Sequence, residues 1–195
     1  MYVSGSVEAE FGEGIEQEVM DALLDQGYFA IHRSQWTGAN NSAAMMKGVN
    51  GAKFILPDIE AGRSGYSSLV DAKAKTNANY FRNRGRFEHG IEINPLYGYL
   101  RTAYERGMPL AIILYDKSQD KWLITNPDEM FVEGVFEGGF SIVSYEENDS
   151  AMARGMGSYS SVLNIPITSF VEIDINNVEL KEHSSMVRWL DNKGV

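Results

Sequence analysis

The chain has 195 residues, of which 44% are hydrophobic, and its 17 Lys or Arg against 27 Asp or Glu give a formal net charge of −10. This length and apolar content suit one folded domain with a substantial core, and they exclude a disordered or collagen-like chain. At first sight the charge argues against a nucleic-acid-binding protein, because duplex DNA repels a polyanion.

Cysteine is absent, and histidine occurs only at positions 32, 89 and 183. Disulfides and thiolate metal sites are therefore impossible, and any bound metal should be a hard cation such as Mg²⁺ on oxygen ligands. No apolar run approaches the roughly 18 residues of a transmembrane helix, so no membrane partner is expected. The first residues lack the charged and apolar segments of a signal peptide, and we expect a cytoplasmic protein.

The first elements follow from the hydrophobic pattern. A period of 3.6 residues predicts an amphipathic helix over residues 12–27, which Gly27 ends. A short strand is expected over residues 28–33. The polar segment 34–51 predicts a loop, with a helical turn through residues 43–47.

Two apolar runs follow the loop. Residues 52–60 and 67–75 predict strands, and the intervening AGRSGY sequence has the composition of a hairpin turn. Residues 76–93 are polar and basic, and a solvated loop is the simplest interpretation of their central part.

A second helix is predicted after this segment, with Asn94 as its N-cap, Pro95 at its first position and Gly107 as its C-terminal cap. The continuous apolar run 109–116 predicts a strand buried on both faces. The order is thus helix, three strands, helix and strand, which indicates a mixed α/β fold.

The last third extends this unit without a recognisable domain boundary, so a single domain is expected over residues 1–195. The segments WLITN, FVEGVF, FSIVSY and ITSFVEI are candidate strands of a β-rich elaboration over residues 117–195. A loop is expected over residues 147–161, and a terminal helix is expected around Met186, Trp189 and Leu190.

Charged residues on two neighbouring predicted strands form the most informative pattern. Side chains alternate along a strand, so Asp71, Lys73 and Lys75 share one face while the small residues between them point the other way. Asp58 follows Pro57 on the neighbouring strand of the hairpin, where it can approach Asp71. Two carboxylates can hold Mg²⁺, and an adjacent lysine can orient or deprotonate water or stabilise charge on a phosphate.

Glu16 is a fourth candidate. On a helical wheel it lies in the middle of the apolar arc of the first helix, whereas the other acids of residues 13–25 lie at or beyond its edge. An acid that faces a core needs a partner, which a metal ion or the Lys73 ammonium would supply.

These residues resemble the motifs of the PD-(D/E)XK nuclease superfamily. Pro57-Asp58 matches the PD element, Asp71-Ala72-Lys73 matches (D/E)XK, and Glu16 matches the glutamate on the first helix of archaeal-type Holliday junction resolvases. The resemblance covers about residues 12–116 and implies a restriction-endonuclease-like αβββαβ core.

The resemblance also implies a metal-dependent enzyme that hydrolyses DNA, with branched DNA as one candidate substrate, and such enzymes are often homodimers. It implies that Asp58, Asp71, the Ala72 carbonyl and Glu16 bind Mg²⁺ or Mn²⁺, and that Lys73 activates or positions water.

The same residues have simpler interpretations. Asp71 and Lys73 could be an ordinary salt pair on a half-exposed strand, and Asp58 could serve only the turn after the proline. A non-catalytic nuclease-like binding module, an acidic protein that mimics DNA, and an RNA-directed nuclease therefore stay open.

The basic residues are concentrated in the segment that carries these motifs. Residues 28–106 hold 11 Lys or Arg against 6 Asp or Glu, although the whole chain is acidic. Lys75, Arg82, Arg84 and Arg86 are candidate nucleic-acid contacts, and aromatic residues lie between the arginines, as suits phosphate contact and base stacking. The charge thus predicts a small, local DNA footprint.

Overall fold

The computed structural model describes residues 4–32, 45–47, 53–82, 85–132, 141–144 and 161–184. In chain order its elements are α1 (Ser4–Asp25), β1 (Phe29–His32), β2 (Met45–Lys47), β3 (Lys53–Ile55), β4 (Ile59–Arg63), β5 (Tyr66–Lys75), β6 (Asn79–Phe81), β7 (Arg86–Glu92), α2 (Ile93–Arg106), β8 (Leu110–Asp116), β9 (Lys121–Thr125), α3 (Pro127–Val132), β10 (Ser141–Ser144), β11 (Ser161–Pro166) and β12 (Val171–Ile173). Short 3₁₀ helices follow β11 and β12, at Ile167–Ser169 and Ile175–Asn177. None of the helices in these ranges could cross a lipid bilayer.

The fold class is the mixed α/β architecture expected from the sequence. The elements α1, β1, β4, β5, α2 and β8 follow the αβββαβ order, with β2 and β3 inserted after β1 and β6 and β7 inserted after β5. The strands after β8 form the β-rich C-terminal elaboration.

Helix α1 buries the apolar stripe that its sequence predicts. Ile15, Val19 and Leu23 are buried on one side of the helix. Gly27 adopts a φ of +81°, and its N–H donates to the carbonyl of Leu24, so the helix ends where expected. The helix begins at Ser4, eight residues before the predicted start.

The strands that carry the charged residues form a hairpin. β4 and β5 are antiparallel, and the turn between them places Ser64 at φ +55° and Gly65 at φ +91°. Positive φ at both central residues is characteristic of a two-residue turn whose twist matches the right-handed twist of the two strands. The prediction of one strand over residues 52–60 is wrong, because β3 and β4 are separate strands with Pro57 between them. Proline cannot donate to a sheet ladder.

The central sheet has the strand order β1-β4-β5-β8-β9-β12, and β5 and β8 are its parallel pair. Parallel neighbours need a crossover, and α2 supplies it between the two strands. Gly107 adopts φ +64° at the end of α2, as predicted. The start of α2 differs from the prediction, because Glu92 rather than Asn94 is the N-cap, and Pro95 falls at the third helical position.

The two faces of β5 pack against different elements. Val70 and Ala72 join the cluster that contains the apolar residues of α1. Leu69, on the opposite face, packs against Tyr99 and Ala103 of α2. Along β5, Asp71 and Lys73 alternate with Val70 and Ala72. Their side chains therefore lie on the opposite face, which α2 covers.

A second sheet, β10-β11-β7-β6, covers part of this α2 face. Ile91 of β7 and Ile165 of β11 are buried with residues of β8. The simple interpretation of residues 79–90 as a solvated loop is wrong over β6 and β7, because these polar strands gain their ladder partners from each other and from β11.

The structure corrects several other predictions of local elements. Residues 45–47 form a strand against β3 rather than a helical turn. Phe131 and Val132 end helix α3 rather than begin a strand, and residues 167–169 are a 3₁₀ helix before β12. β9 and β10 confirm two of the predicted C-terminal strands. The terminal helix and most of the loop over 147–161 fall outside the described residues.

Candidate active site

Asp58 lies where β4 and β5 stop pairing. Their ladder ends at the pair Ile59 and Val70, and continuing the register would bring Pro57 opposite Ala72. Because proline has no N–H, a regular pair cannot form there. The Ala72 N–H donates instead to Asp58 Oδ2 at 3.1 Å. This bond fixes the carboxylate against β5.

Asp58, Asp71 and Lys73 meet at this point. The side chains of both aspartates are fully buried, whereas 28% of the Lys73 side chain is exposed. Lys73 Nζ lies 2.8 Å from Asp71 Oδ2 and 3.7 Å from Asp58 Oδ2. The structure therefore brings together the three charged residues that the sequence analysis selected on the two strands.

The electrostatics of this cluster are strongly perturbed. Burial, followed by the negative charge of Asp71, raises the pKa of Asp58 from its usual 3.8 to about 9. Burial opposes the charge of Lys73, but the carboxylates of Asp71 and Asp58 outweigh it and raise the pKa of the lysine. Without a further cation, two buried carboxylates next to one ammonium thus favour a proton on Asp58.

The donor set fits a hard divalent cation. Asp58 Oδ1 is buried and has no hydrogen-bond partner among the described residues. A buried carboxylate oxygen without a partner is costly, and an oxygen-binding cation would satisfy it. Within the described ranges, no three His, Asp or Glu side chains are grouped as a metal site. Mg²⁺ nevertheless binds through one or two carboxylates when water and phosphate complete its shell.

The backbone N–H and C=O of Ala72 lie on the side of β5 that faces Asp58. Its N–H points to the Asp58 side chain, and the N–H and C=O of one strand residue point to the same neighbour. The carbonyl proposed from the sequence as a ligand is therefore on the side of β5 where the carboxylate lies.

Glu16 is held by a partner that the sequence analysis did not identify. Its Oε2 lies 3.1 Å from His32 Nε2 on β1. Glu16 belongs to α1, which packs on the opposite face of β5 from Asp71 and Lys73. Its charge contributes to the raised pKa of Asp58, but within the described ranges Glu16 forms no group of three metal-ligating side chains with Asp58 and Asp71. Its role as a metal ligand stays a prediction.

Tyr99 of α2 is a second residue that the sequence did not reveal as part of the site. It is buried, and its ring centroid lies 5.7 Å from Lys73 Nζ. Burial and the nearby Asp71 carboxylate, to which its hydroxyl is hydrogen-bonded, raise its pKa. Tyr99 lies at helical spacing from the buried Leu96 and Ala103, but no local pattern could show that it would reach β5.

The candidate basic residues lie in different environments in the structure. Lys75 continues the face of Asp71 and Lys73, and burial followed by the charge of Lys73 lowers its pKa. Arg82 is exposed immediately after β6, whereas the Arg86 Nε donates to the buried Glu88 at 2.7 Å. Arg84 lies outside the described residues.

The solved structures that are similar to this chain include the following two. One is Hjc, a Holliday junction resolvase from Archaeoglobus fulgidus, with a TM-score of 0.47 and 12% sequence identity over 85% of this chain and 97% of that chain. The other is D212, a nuclease from a fusselovirus, with a TM-score of 0.46 and 11% identity over 88% of this chain and 89% of that chain. No family model and no curated protein matches the sequence. At these identities the functional interpretation depends on the geometry of the site itself.

Proposed function

We propose that the chain is a metal-dependent endonuclease that hydrolyses phosphodiester bonds in DNA. The observation that carries this proposal is the pair of fully buried carboxylates, Asp58 and Asp71, on either side of the Lys73 ammonium. Buried charges of this kind contribute little net stability, so a chemical role accounts for them better than a structural one.

Asp58, Asp71 and the Ala72 carbonyl are the proposed ligands of Mg²⁺ or Mn²⁺, and Glu16 is a proposed additional ligand. Asp58 Oδ1, which is buried and accepts no hydrogen bond from any described residue, supports this assignment. When bound, such an ion neutralises charge on a phosphate and lowers the pKa of a coordinated water.

Lys73 is the proposed catalytic base or water-positioning group. Its ammonium lies within 4 Å of both carboxylates, while part of the side chain reaches solvent, where a substrate phosphate can approach. With its proton retained, the ammonium orients the attacking water and stabilises negative charge on the phosphate in the transition state.

DNA binding is proposed to use the positive charge near this face. Lys75 continues the strand face of Lys73, and Arg82, Arg84 and Arg86 belong to the β6–β7 hairpin segment. Lysine and arginine contacts to phosphates fix the register of a nucleic acid without reading its sequence. A homodimer and a preference for branched DNA are further parts of the proposal.

A cleavage assay tests the proposal. Linear, nicked and four-way-junction DNA are incubated with the protein in Mg²⁺, in Mn²⁺ and in EDTA, alongside Asp71→Ala and Lys73→Ala. We expect cleavage only with metal, and we expect both substitutions to abolish it while circular dichroism shows that the variants stay folded.

Cleavage by Asp71→Ala at the wild-type rate would refute the assignment. An absence of cleavage on every substrate, with tight binding to a nuclease, would favour the acidic DNA mimic instead. Cleavage of RNA but not of DNA would favour the RNA-directed enzyme.

A further inference from the structure

Two exposed aromatic side chains lie together on the β6–β7 hairpin, outside the residues assigned to catalysis. Tyr80 and Phe87 are directly opposite each other across the two strands, and their ring centroids are 5.0 Å apart. Tyr80 is 54% exposed and Phe87 is 52% exposed. Large rings left in water forgo the free energy of burial, so a paired exposure of this kind suggests a binding surface.

The surroundings of this pair are basic. Arg82 is exposed directly after the strand that carries Tyr80. Arg86 neighbours Phe87 in the sequence, and its Nε donates to Glu88 at 2.7 Å. Two aromatic rings among arginines complement a polyanion whose bases offer flat faces better than they complement an apolar protein surface.

The hairpin is anchored to the face that carries the candidate active site. His89 of β7 is fully buried, and its Nε2 lies 3.2 Å from Asp116 Oδ2 at the end of β8. Asp116 is the register partner of Lys75, which shares the strand face of Asp71 and Lys73. The exposed Phe87 therefore belongs to a strand that is fixed at the Lys75 end of that face, and Tyr80 lies opposite it on the paired strand β6.

Stacking on an aromatic side chain requires a base whose face is free. In continuous duplex DNA the faces are covered by neighbouring base pairs, whereas a single strand, a loop or a branch point offers them. We propose that the Tyr80–Phe87 pair stacks on an unpaired base, so that the chain recognises DNA containing unpaired nucleotides in preference to continuous duplex. This inference rests on the proposed nuclease function in taking DNA as the ligand.

A binding experiment in EDTA tests the inference without cleavage. Fluorescence anisotropy is measured with a fluorescein-labelled single-stranded DNA, with the RNA of the same sequence and with the corresponding duplex DNA, all at low salt. Wild-type protein is expected to bind the single-stranded DNA about tenfold more tightly than the duplex, because base–aromatic stacking is sequence-tolerant and strong.

The variants compare two half-exposed phenylalanines. Phe87→Leu keeps an apolar side chain but removes the ring, and it is expected to weaken single-strand binding about fivefold or more while duplex binding stays the same. Phe29→Leu is the matched control, since Phe29 is 48% exposed on β1 and belongs to no proposed site. It is expected to bind as the wild type does.

Three results would overturn the inference. One is a missing stacking effect, seen either as equal affinity for single-stranded and duplex DNA or as equal effects of Phe87→Leu and Phe29→Leu. Another is tighter binding of the RNA than of the DNA. The third is self-association in sedimentation that Phe87→Leu removes, which would assign the rings to a second copy of this chain.

The cleavage assay separates this inference from the proposed function. Cleavage of continuous duplex, without any single-strand preference in binding, would leave the nuclease standing and remove the stacking surface. A single-strand preference that depends on Phe87, without cleavage of any DNA, would leave the stacking surface standing and remove the nuclease.

Discussion

Asp58 interacts with three other residues of the candidate site. It accepts a hydrogen bond from Ala72 where the sheet ladder ends, and it approaches both Asp71 and Lys73. Its second carboxylate oxygen is buried and has no hydrogen-bond partner in the part of the chain that the structure describes. A residue held by one oxygen and left free at the other is well suited to bind a ligand.

The raised pKa of Asp58 predicts the pH dependence of stability without metal. The folded state retains a proton that the unfolded chain releases, since the pKa is about 9 in the fold against its usual 3.8. The free energy of unfolding should therefore fall as the pH rises through this window, and Asp58→Asn should remove that part of the slope. Urea unfolding in EDTA at several pH values measures this slope of the unfolding free energy against pH.

Asp21→Asn serves as the control for that experiment, because Asp21 is an exposed carboxylate on α1. It should leave the slope unchanged. An Asp58→Asn variant with the wild-type slope would show that Asp58 does not hold a proton in the fold.

Lys73 and Asp71 are expected to be coupled in stability. Lys73→Met leaves two buried carboxylates without their ammonium, which should cost about 3–5 kcal/mol at neutral pH. Asp71→Asn combined with Lys73→Met should cost less than the sum of the single substitutions, by about 1–3 kcal/mol. Urea unfolding in EDTA completes this double-mutant cycle, and simple additivity would mean that the two side chains do not interact.

At the scale of elements, α2 determines the environment of the charged strand. It carries Tyr99 to the side of Asp71 and Lys73, and it crosses from β5 to its parallel neighbour β8. Its Gly98 allows close approach of β3, because a Cβ at this position would lie 2.9 Å from the backbone nitrogen of Ile55.

Two glycine substitutions test this packing. Gly98→Ala should destabilise the fold by about 1–3 kcal/mol, because β3 or α2 must move to accept the methyl group. Gly14→Ala is the matched control, since a Cβ there meets nothing within 4 Å and should stabilise α1 by about 0.5–1 kcal/mol. Thermal unfolding of both variants measures the difference, and equal effects would contradict the close contact.

Local patterns were sufficient for the elements that depend on local physics. The apolar period of α1, the hairpin chemistry at Ser64-Gly65 and the apolar run of β8 each specify an element that the structure contains. They also implied that Asp58 and Asp71 lie on adjacent strands, and the structure brings the two side chains together.

Several of the errors occurred where distant partners decide the structure. β7 contains polar residues, and it is a strand because β6 and β11 pair with it. His32 meets Glu16 across 16 residues, and Tyr99 reaches Asp71 from another element. No short window of sequence contains both members of these contacts, so spacing arguments could not find them.

At the scale of the whole molecule, the acidic charge limits how DNA can be bound. The net charge is −10, while residues 28–106 carry 11 basic and 6 acidic residues. DNA binding should therefore depend on a local basic surface surrounded by repulsive charge. Such a surface gives low affinity for unrelated duplex at physiological salt.

The salt dependence of binding measures the size of this surface. If Lys75, Arg82, Arg84 and Arg86 each contact one phosphate, the logarithm of the duplex binding constant should fall with that of the salt concentration with a slope of about −3 to −4. Anisotropy titrations in EDTA give the slope. A value near zero would mean that these residues do not contact phosphates, and Arg82→Gln should reduce the slope by about one.

The central claim is that the buried carboxylates are catalytic rather than structural, and a comparison of two buried acids tests it most directly. Single-turnover cleavage of DNA with Mn²⁺ is measured for wild type, Asp71→Asn and Asp128→Asn, since Asp128 is also buried but lies outside the candidate site. We expect Asp128→Asn to cleave at the wild-type rate and Asp71→Asn to lose cleavage while it remains folded. Cleavage by Asp71→Asn at the rate of Asp128→Asn would contradict the claim.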